Sequence, residues 1–310
     1  MLTRRHIRIK AMQSIYSISH NGNQSLDNQI NFFTDSVQKC FDLYYLLMSV
    51  FNKVFNLAIE KTVLEKKLNH KLNDSISHLI TKNPYFEFLS CNKIISNYIE
   101  IRKINNWNLD NKYINQFYMD LIEKEFFKNY PNNLKNDKDR SFCVNFFKEC
   151  VACSDKLYEY LEDKQITWID DFPVVNTHIL KQLKSLDIDK IKKNFFPIHN
   201  LKSDEVLFGI DIISKVISDR ESLEDEIKGK TPNWESDRIT DIDFILIKMA
   251  ISEFLYFKEI PVRVTINEYI EIAKDYSTPK SNIFINGVLD NISKDFHDKG
   301  RLNKTGRGLL

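Results

Sequence analysis

Glycine and proline are both scarce, with 7 of each in 310 residues, where a chain of this length usually carries about 20 glycines. An all-β architecture needs many more turn residues, so it is excluded. Cysteine is sparse and odd in number: Cys40, Cys91, Cys143, Cys150 and Cys153. With no secretory apolar segment at the start, this points to reduced thiols and a cytoplasmic setting. Cys150 and Cys153 form a C-x-x-C pair, but no second pair or nearby His completes a zinc set, and the segment reads as helix. Asp42 and Lys53 interrupt the richest apolar stretch, so no membrane span is expected. Charge of one sign is also missing. Lys plus Arg number 44 against 43 Asp plus Glu, a net charge of +1, which excludes a uniformly basic nucleic-acid wrapper and confines anion binding to a local patch.

That patch is at the start of the chain, where Arg4, Arg5, Arg8 and Lys10 precede the first acidic residue, Asp27. Thr3 is a plausible N-cap, and Ile7, Ala11, Ile15 and Ile18 fall on one helical stripe. Cations in the first turns of a helix oppose its dipole by roughly 0.3–1 kcal/mol each. An anion should offset that cost, and phosphates gripped by the side chains and the helix N-terminus would do so. A solvated basic terminus or an organellar transit peptide remains the alternative. Lys299, Arg301, Lys304 and Arg307 form a second basic run, whose composition suggests a mobile tail over 298–310.

Hydrophobic residues make up 43% of the chain, enough for a sizeable core. From Ser25 to Leu68, Ile30, Phe33, Val37, Phe41, Tyr44, Met48, Phe51, Phe55 and Ile59 recur at steps of three and four, predicting one long helix. Helical spacing returns over Phe88–Ile104 and Leu109–Phe127, between Pro84 and Pro131. Setting Trp168 against Trp234, an offset of 66 residues, also aligns Asp171 with Asp237 and many apolar positions. This predicts a duplicated unit, with one copy at 137–184 made of a long helix, a Trp-bearing turn and a second helix. Coincident helical periodicity is the alternative. Gly229-Lys230-Thr231 matches the end of a P-loop, but Glu224 stands where the first Gly should be and a helical pattern leads in. We therefore expect no enzyme of that type, and no Gly-rich cofactor loop that would support methyl transfer.

The segment Trp234-Glu-Ser-Asp237-Arg238-Ile239, continuing to Asp243, Ile245, Leu246, Ala250, Glu253, Phe254 and Leu255, resembles the central signature of the NusB transcription antitermination family. The resemblance continues through Ile260-Pro261, Ile266-Asn267-Glu268, Glu271-Ile272-Ala273-Lys274, Ser281 and Phe284-Ile285-Asn286-Gly287-Val288-Leu289-Asp290. At the other end, Arg4-Arg5-His6-Ile7-Arg8 and Ala11-Met12-Gln13-Ser14-Ile15-Tyr16-Ser17 are similar to the family's opening helix. The resemblance implies an all-α, non-catalytic RNA-binding factor that needs no metal or organic cofactor. Its implied partners are boxA-type ribosomal leader RNA, ribosomal protein NusE and the transcription elongation complex. Carried over by motif, Arg4, Arg5, Arg8 and Tyr16 from the first helix, and Lys280, Ser281 and Phe284 near the last, would form the RNA surface. Charge adds Lys10. The cations would neutralise phosphates, and Tyr16 and Phe284 would stack on bases, although both rings could instead lie in the core.

Typical family members are less than half this length. The expected division is a first helix at 1–20, an extra helical region at 21–200, a NusB-like bundle at 201–297 and the basic tail. The extra region is expected to pack on the bundle, because its apolar faces are too rich to stay exposed. A helical interaction scaffold without RNA binding is the rival function. Asn267, Glu268 and Asn286 read as buried hydrogen-bonding residues, and Gly287 as a point of close helix approach.

Overall fold

The computed structural model describes residues 1–21, 25–67, 76–128, 136–190, 195–198, 200, 202–228, 230 and 240–309. Every regular element among them is helical. The chain divides into two compact units, one made of Leu2–Val37 with Asn200–Leu310 and the other of Gln38–His199 with Met1.

Helix α1 spans Arg4–Asn21 and α2 spans Leu26–Lys67, so the long run of apolar positions does form one helix. Its residues through Val37 belong to the first unit and the rest to the second. The second unit continues with α3 (Ile76–Lys82), α4 (Pro84–Ser90), α5 (Lys93–Ile101), α6 (Asn106–Leu109), α7 (Lys112–Glu123) and α8 (Glu125–Lys128). Then come α9 (Asn136–Phe146), α10 (Asp155–Lys164) and α11 (Trp168–Ser185). Punctuation by capping residues explains these short pieces. Asn83 accepts from the Phe86 N–H with Pro84 at the first helical position, and Ser154 accepts from the Leu157 N–H. The core of this unit is aromatic: Phe51 meets Phe86 at a centroid distance of 5.0 Å and Phe146 at 5.5 Å.

Cys150 lies in a π-helical extension of α9, Phe147–Ala152, and Cys153 directly follows it. Cys150 is buried, which pushes its thiol up to about 12, and Cys153 is exposed. Among the described residues no cluster of three or more His, Cys, Asp or Glu could hold a metal.

The first unit is completed by α12 (Asp204–Ser218), α13 (Arg220–Lys228), α14 (Asp241–Tyr256), α15 (Val262–Tyr276) and α16 (Ser281–Asp298). Ser203 and Thr240 cap α12 and α14 by accepting from the Val206 and Asp243 N–H groups. The helices α14, α15 and α16 pack on one another, and α1 packs against α12, α14 and α15. Ile7, Ala11 and Ile15 are its buried stripe.

The two windows related by the 66-residue offset share a helix order. The helices α9, α10 and α11 stand where α12, α13 and α14 stand in the other window, and in each trio the first two pack on the third. Each window holds three helices where the sequence pattern suggests two, because the chain breaks at Ser154 and at Asp219. Trp168 opens α11 and is buried; Trp234, Asp237 and Arg238 lie outside the described residues.

Two expectations are corrected. Gly287 faces open space, with nothing within 4 Å of a Cβ built there, so no helix approaches it. The close-approach glycine is Gly209 in α12, where a Cβ would lie 2.2 Å from Phe33 Cζ and 2.8 Å from Ile7 Cγ2. Asn267 and Asn286 are exposed rather than buried, because they point away from the α14–α16 contacts.

Candidate nucleic-acid interface

Of the eight residues singled out from the sequence, Arg4, Arg5, Tyr16 and Lys280 are exposed, while Arg8, Lys10, Ser281 and Phe284 are buried. Helical geometry explains the split on α1. Arg8 is one residue past Ile7 and turns inward with the apolar stripe. Arg5, Ile9, Gln13 and Tyr16 follow steps of three and four on the accessible side and span about 16 Å at 1.5 Å per residue.

Arg8 is locked in place. Its Nε and Nη2 donate to Glu253 Oε1 and Oε2 at 2.6 and 2.9 Å, and its guanidinium lies 5.1 Å from the Phe208 ring centroid and 5.7 Å from that of Tyr269. Glu253 also accepts from Thr265 Oγ1 at 3.1 Å and Tyr269 Oη at 2.7 Å. Burial opposes the Arg8 charge, but the hydrogen bonds and charge of Glu253 outweigh it, so the guanidinium is raised above its ordinary value. Burial, followed by the Glu253 charge, drives the Tyr269 hydroxyl well upward.

Arg5 stands a turn earlier and donates from Nε and Nη2 to Glu268 at 3.0 and 2.8 Å, yet its side chain stays 43% exposed. One face is therefore still open to a ligand. Arg4 lies 5.2 Å from the Phe208 ring centroid, and no described carboxylate forms an ion pair with it. The anions that answer the cationic helix start are thus in part internal: Glu253 from α14 and Glu268 from α15. Beside them His6 accepts from the Thr3 N–H on Nδ1 at 3.1 Å. Burial, then the Lys10 and Arg5 charges, lowers its basicity.

The hydrogen bonds from Arg5 hold the Glu268 carboxyl below its ordinary range, against some desolvation. Folded Glu268 therefore binds fewer protons than unfolded Glu268 in the acid range. Its stabilising contribution is complete above the ordinary glutamate pKa and is lost as pH falls through the lowered folded value. Glu268→Gln should cost up to about 1 kcal/mol at neutral pH, since Arg5 is half solvated. It should also flatten the acid limb of a stability-against-pH curve measured by urea unfolding; an unchanged limb would contradict the pair.

At the other candidate position Ser281 donates to Asp243 Oδ2 at 2.8 Å and Ser277 donates to Oδ1 at 2.7 Å. The buried carboxylate ties the α14 start to the turn before α16, and Phe284 packs inward one turn later. Lys280, immediately before that helix, is exposed.

Arg4, Arg5, His6 and Arg8 line an open cleft of about 720 Å³ together with Glu259, Glu268 and Arg307. Thr3, Ile260, Pro261 and Val264 complete its wall. Arg307 is the residue the sequence reading missed. Its tail does not read as structured, and only the folded arrangement brings it to the cleft that Arg4 also lines.

Residues 174–294, beginning within α11 and ending within α16, match the NusB family model. The chain is 48% identical over 103 residues to the transcription antitermination protein NusB of Salinibacter ruber, covering 33% of this chain and 64% of that protein. It is 39% identical over 132 residues to the NusB of Chloroherpeton thalassium, covering 42% and 62%. For the NusB of Natranaerobius thermophilus the identity is 37% over 86 residues, covering 28% and 62%. The matched stretches span less than two thirds of each relative.

Proposed function

We propose that this chain, which carries a NusB-family domain at residues 174–294, is a non-catalytic RNA-binding factor. It would bind boxA-type ribosomal leader RNA together with ribosomal protein NusE and act in transcription antitermination on the elongation complex in the cytoplasm. One observation carries the reading: the arginine-rich α1, outside the family match, is fastened by Arg5–Glu268 and Arg8–Glu253 to helices inside it. The relatives' name supplies antitermination, and the open faces of Arg4 and Arg5 supply a phosphate-binding edge. Tyr16, exposed on the same side of α1 as Arg5, would stack on a base, and Lys280 would add a cation at the α16 start. In this reading Arg8, Lys10, Ser281 and Phe284 shape the surface from within.

The test is titration of the full chain with its ribosomal leader RNA, with and without the cognate NusE. Wild type should bind, and Arg4→Ala with Arg5→Ala should weaken binding about tenfold or more and reduce its salt dependence while helical content is retained. Unchanged affinity would instead support a helical interaction scaffold that does not use RNA.

A further inference from the structure

The basic tail is not a free end. After α16, Lys299 pairs with Asp295 at 2.8 Å, and Arg301 pairs with Glu226 while lying 4.1 Å from the Phe296 ring centroid. Lys304 Nζ donates to the Glu253 and Phe257 carbonyls, each at 3.0 Å. These are at the C-terminal end of α14, where a cation is favoured by the dipole; the same two carbonyls also accept from the Phe257 and Ile260 N–H groups at 3.2 Å. Burial lowers the ammonium to about 8, so it is still mostly charged at neutral pH. The Thr305 N–H then donates to the Lys258 carbonyl at 3.0 Å, and Gly306–Leu309 form a 3₁₀ turn. Gly308 sits so close to that carbonyl that a Cβ would lie 1.9 Å from the Lys258 oxygen. Any side chain there must lift the strap.

Three of the four cations singled out in this tail thus serve as anchors. The fourth, Arg307, is exposed, has no ion-pair partner among the described residues, and lines the cleft that holds Arg4, Arg5 and Arg8. Of the four arginines there, Arg8 is buried and paired with Glu253 and Arg5 is bonded to Glu268 while still partly exposed, which leaves Arg4 and Arg307 over the one further glutamate, Glu259. Convergent cations with an uncompensated excess favour a polyanion. The strap also lies beyond the last residue of the family match, 294.

We infer that the docked strap is part of the RNA site and that Arg307 is a further phosphate contact in the cleft that Arg4 also lines, an inference that rests on the RNA-binding reading above. Guanidinium groups on two sides of the cleft would hold a strand that crosses the start of α1. A contact of this kind senses the backbone and not the base.

The full chain would be titrated with two labelled probes, a short boxA-type leader RNA and an oligouridylate of equal length, over a range of salt. Arg307→Ala should weaken binding of both probes severalfold and lower the salt slope by about 0.7, the loss of one single-strand phosphate contact. Gly308→Val, which keeps Arg307 but lifts the strap, should reproduce that loss. If Arg307→Ala binds both probes like wild type while the Arg4 and Arg5 double variant is weakened, the strap inference falls and the RNA-binding reading stands. A loss confined to the boxA-type probe would overturn the phosphate role, and wild-type binding by Gly308→Val would overturn the need for docking. If the wild-type chain binds neither probe, both readings fall.

Discussion

Arg8→Ala should destabilise the protein by about 3–5 kcal/mol, the usual consequence of removing one member of a buried, hydrogen-bonded charge pair. Arg8 and Glu253 expose 3% and 0% of their side chains, so the remaining carboxylate has no water to replace the lost guanidinium. It would keep only the hydroxyl donors of Thr265 and Tyr269. Packing is lost as well, since the guanidinium lies against the Phe208 and Tyr269 rings. The loss comes from leaving a buried carboxylate without its counter-ion. Arg8→Lys, which keeps charge but loses the two-pronged geometry, should fall between wild type and Ala. Urea unfolding at neutral pH measures all of this, and a loss below about 1 kcal/mol would show that the pair is not the tether it resembles.

The same pair shows what a sequence can and cannot disclose. The helical stripe of Ile7, Ala11 and Ile15 is legible because 3.6-residue periodicity is local, and so is the long α2. The crowding of cations at Arg4, Arg5 and Arg8 is legible too, as is the need for an anion. Which anion answers it is not, because Glu268 and Glu253 lie 263 and 245 residues away from Arg5 and Arg8. A signal was nevertheless present. Glu253 stands between Ile251 and Phe254 in an apolar stretch, and a carboxylate on such a face demands an internal donor. Arg8 one turn inside the first helix is a natural partner. Glycine misleads for a related reason: Gly209 and Gly287 both lie within helices, and only the neighbouring surface distinguishes the one pressed by Phe33 from the one facing solvent. Composition misleads at the tail, where few apolar residues suggest mobility but backbone carbonyls of α14 and nearby carboxylates hold the segment.

Phe51→Ala should cost about 3–5 kcal/mol in the unit formed by Gln38–His199, the range expected when a large aromatic side chain is deleted from a packed core. Phe51 is fully buried. Its ring stands edge-on to Phe86 and Phe146 at centroid distances of 5.0 and 5.5 Å, and parallel to Phe147 at 6.4 Å, so one deletion removes contacts with α4, α9 and its π-helical extension. These aromatic neighbours are too bulky to collapse into the space, and aromatic pairing adds roughly 0.5–1.5 kcal/mol per contact beyond burial alone. Phe51→Leu keeps most of the volume and should cost clearly less. The polar surroundings argue in the same direction: the Ser90 hydroxyl donates to the Phe51 carbonyl at 2.9 Å, fixing the backbone of α2 against the α4 end and limiting relaxation around a void. Urea unfolding followed by circular dichroism gives the comparison. Equal stabilities for Phe51→Ala and wild type would mean that this aromatic cluster does not form the core of its unit, whereas a large loss for Ala with a small one for Leu assigns the effect to the cavity.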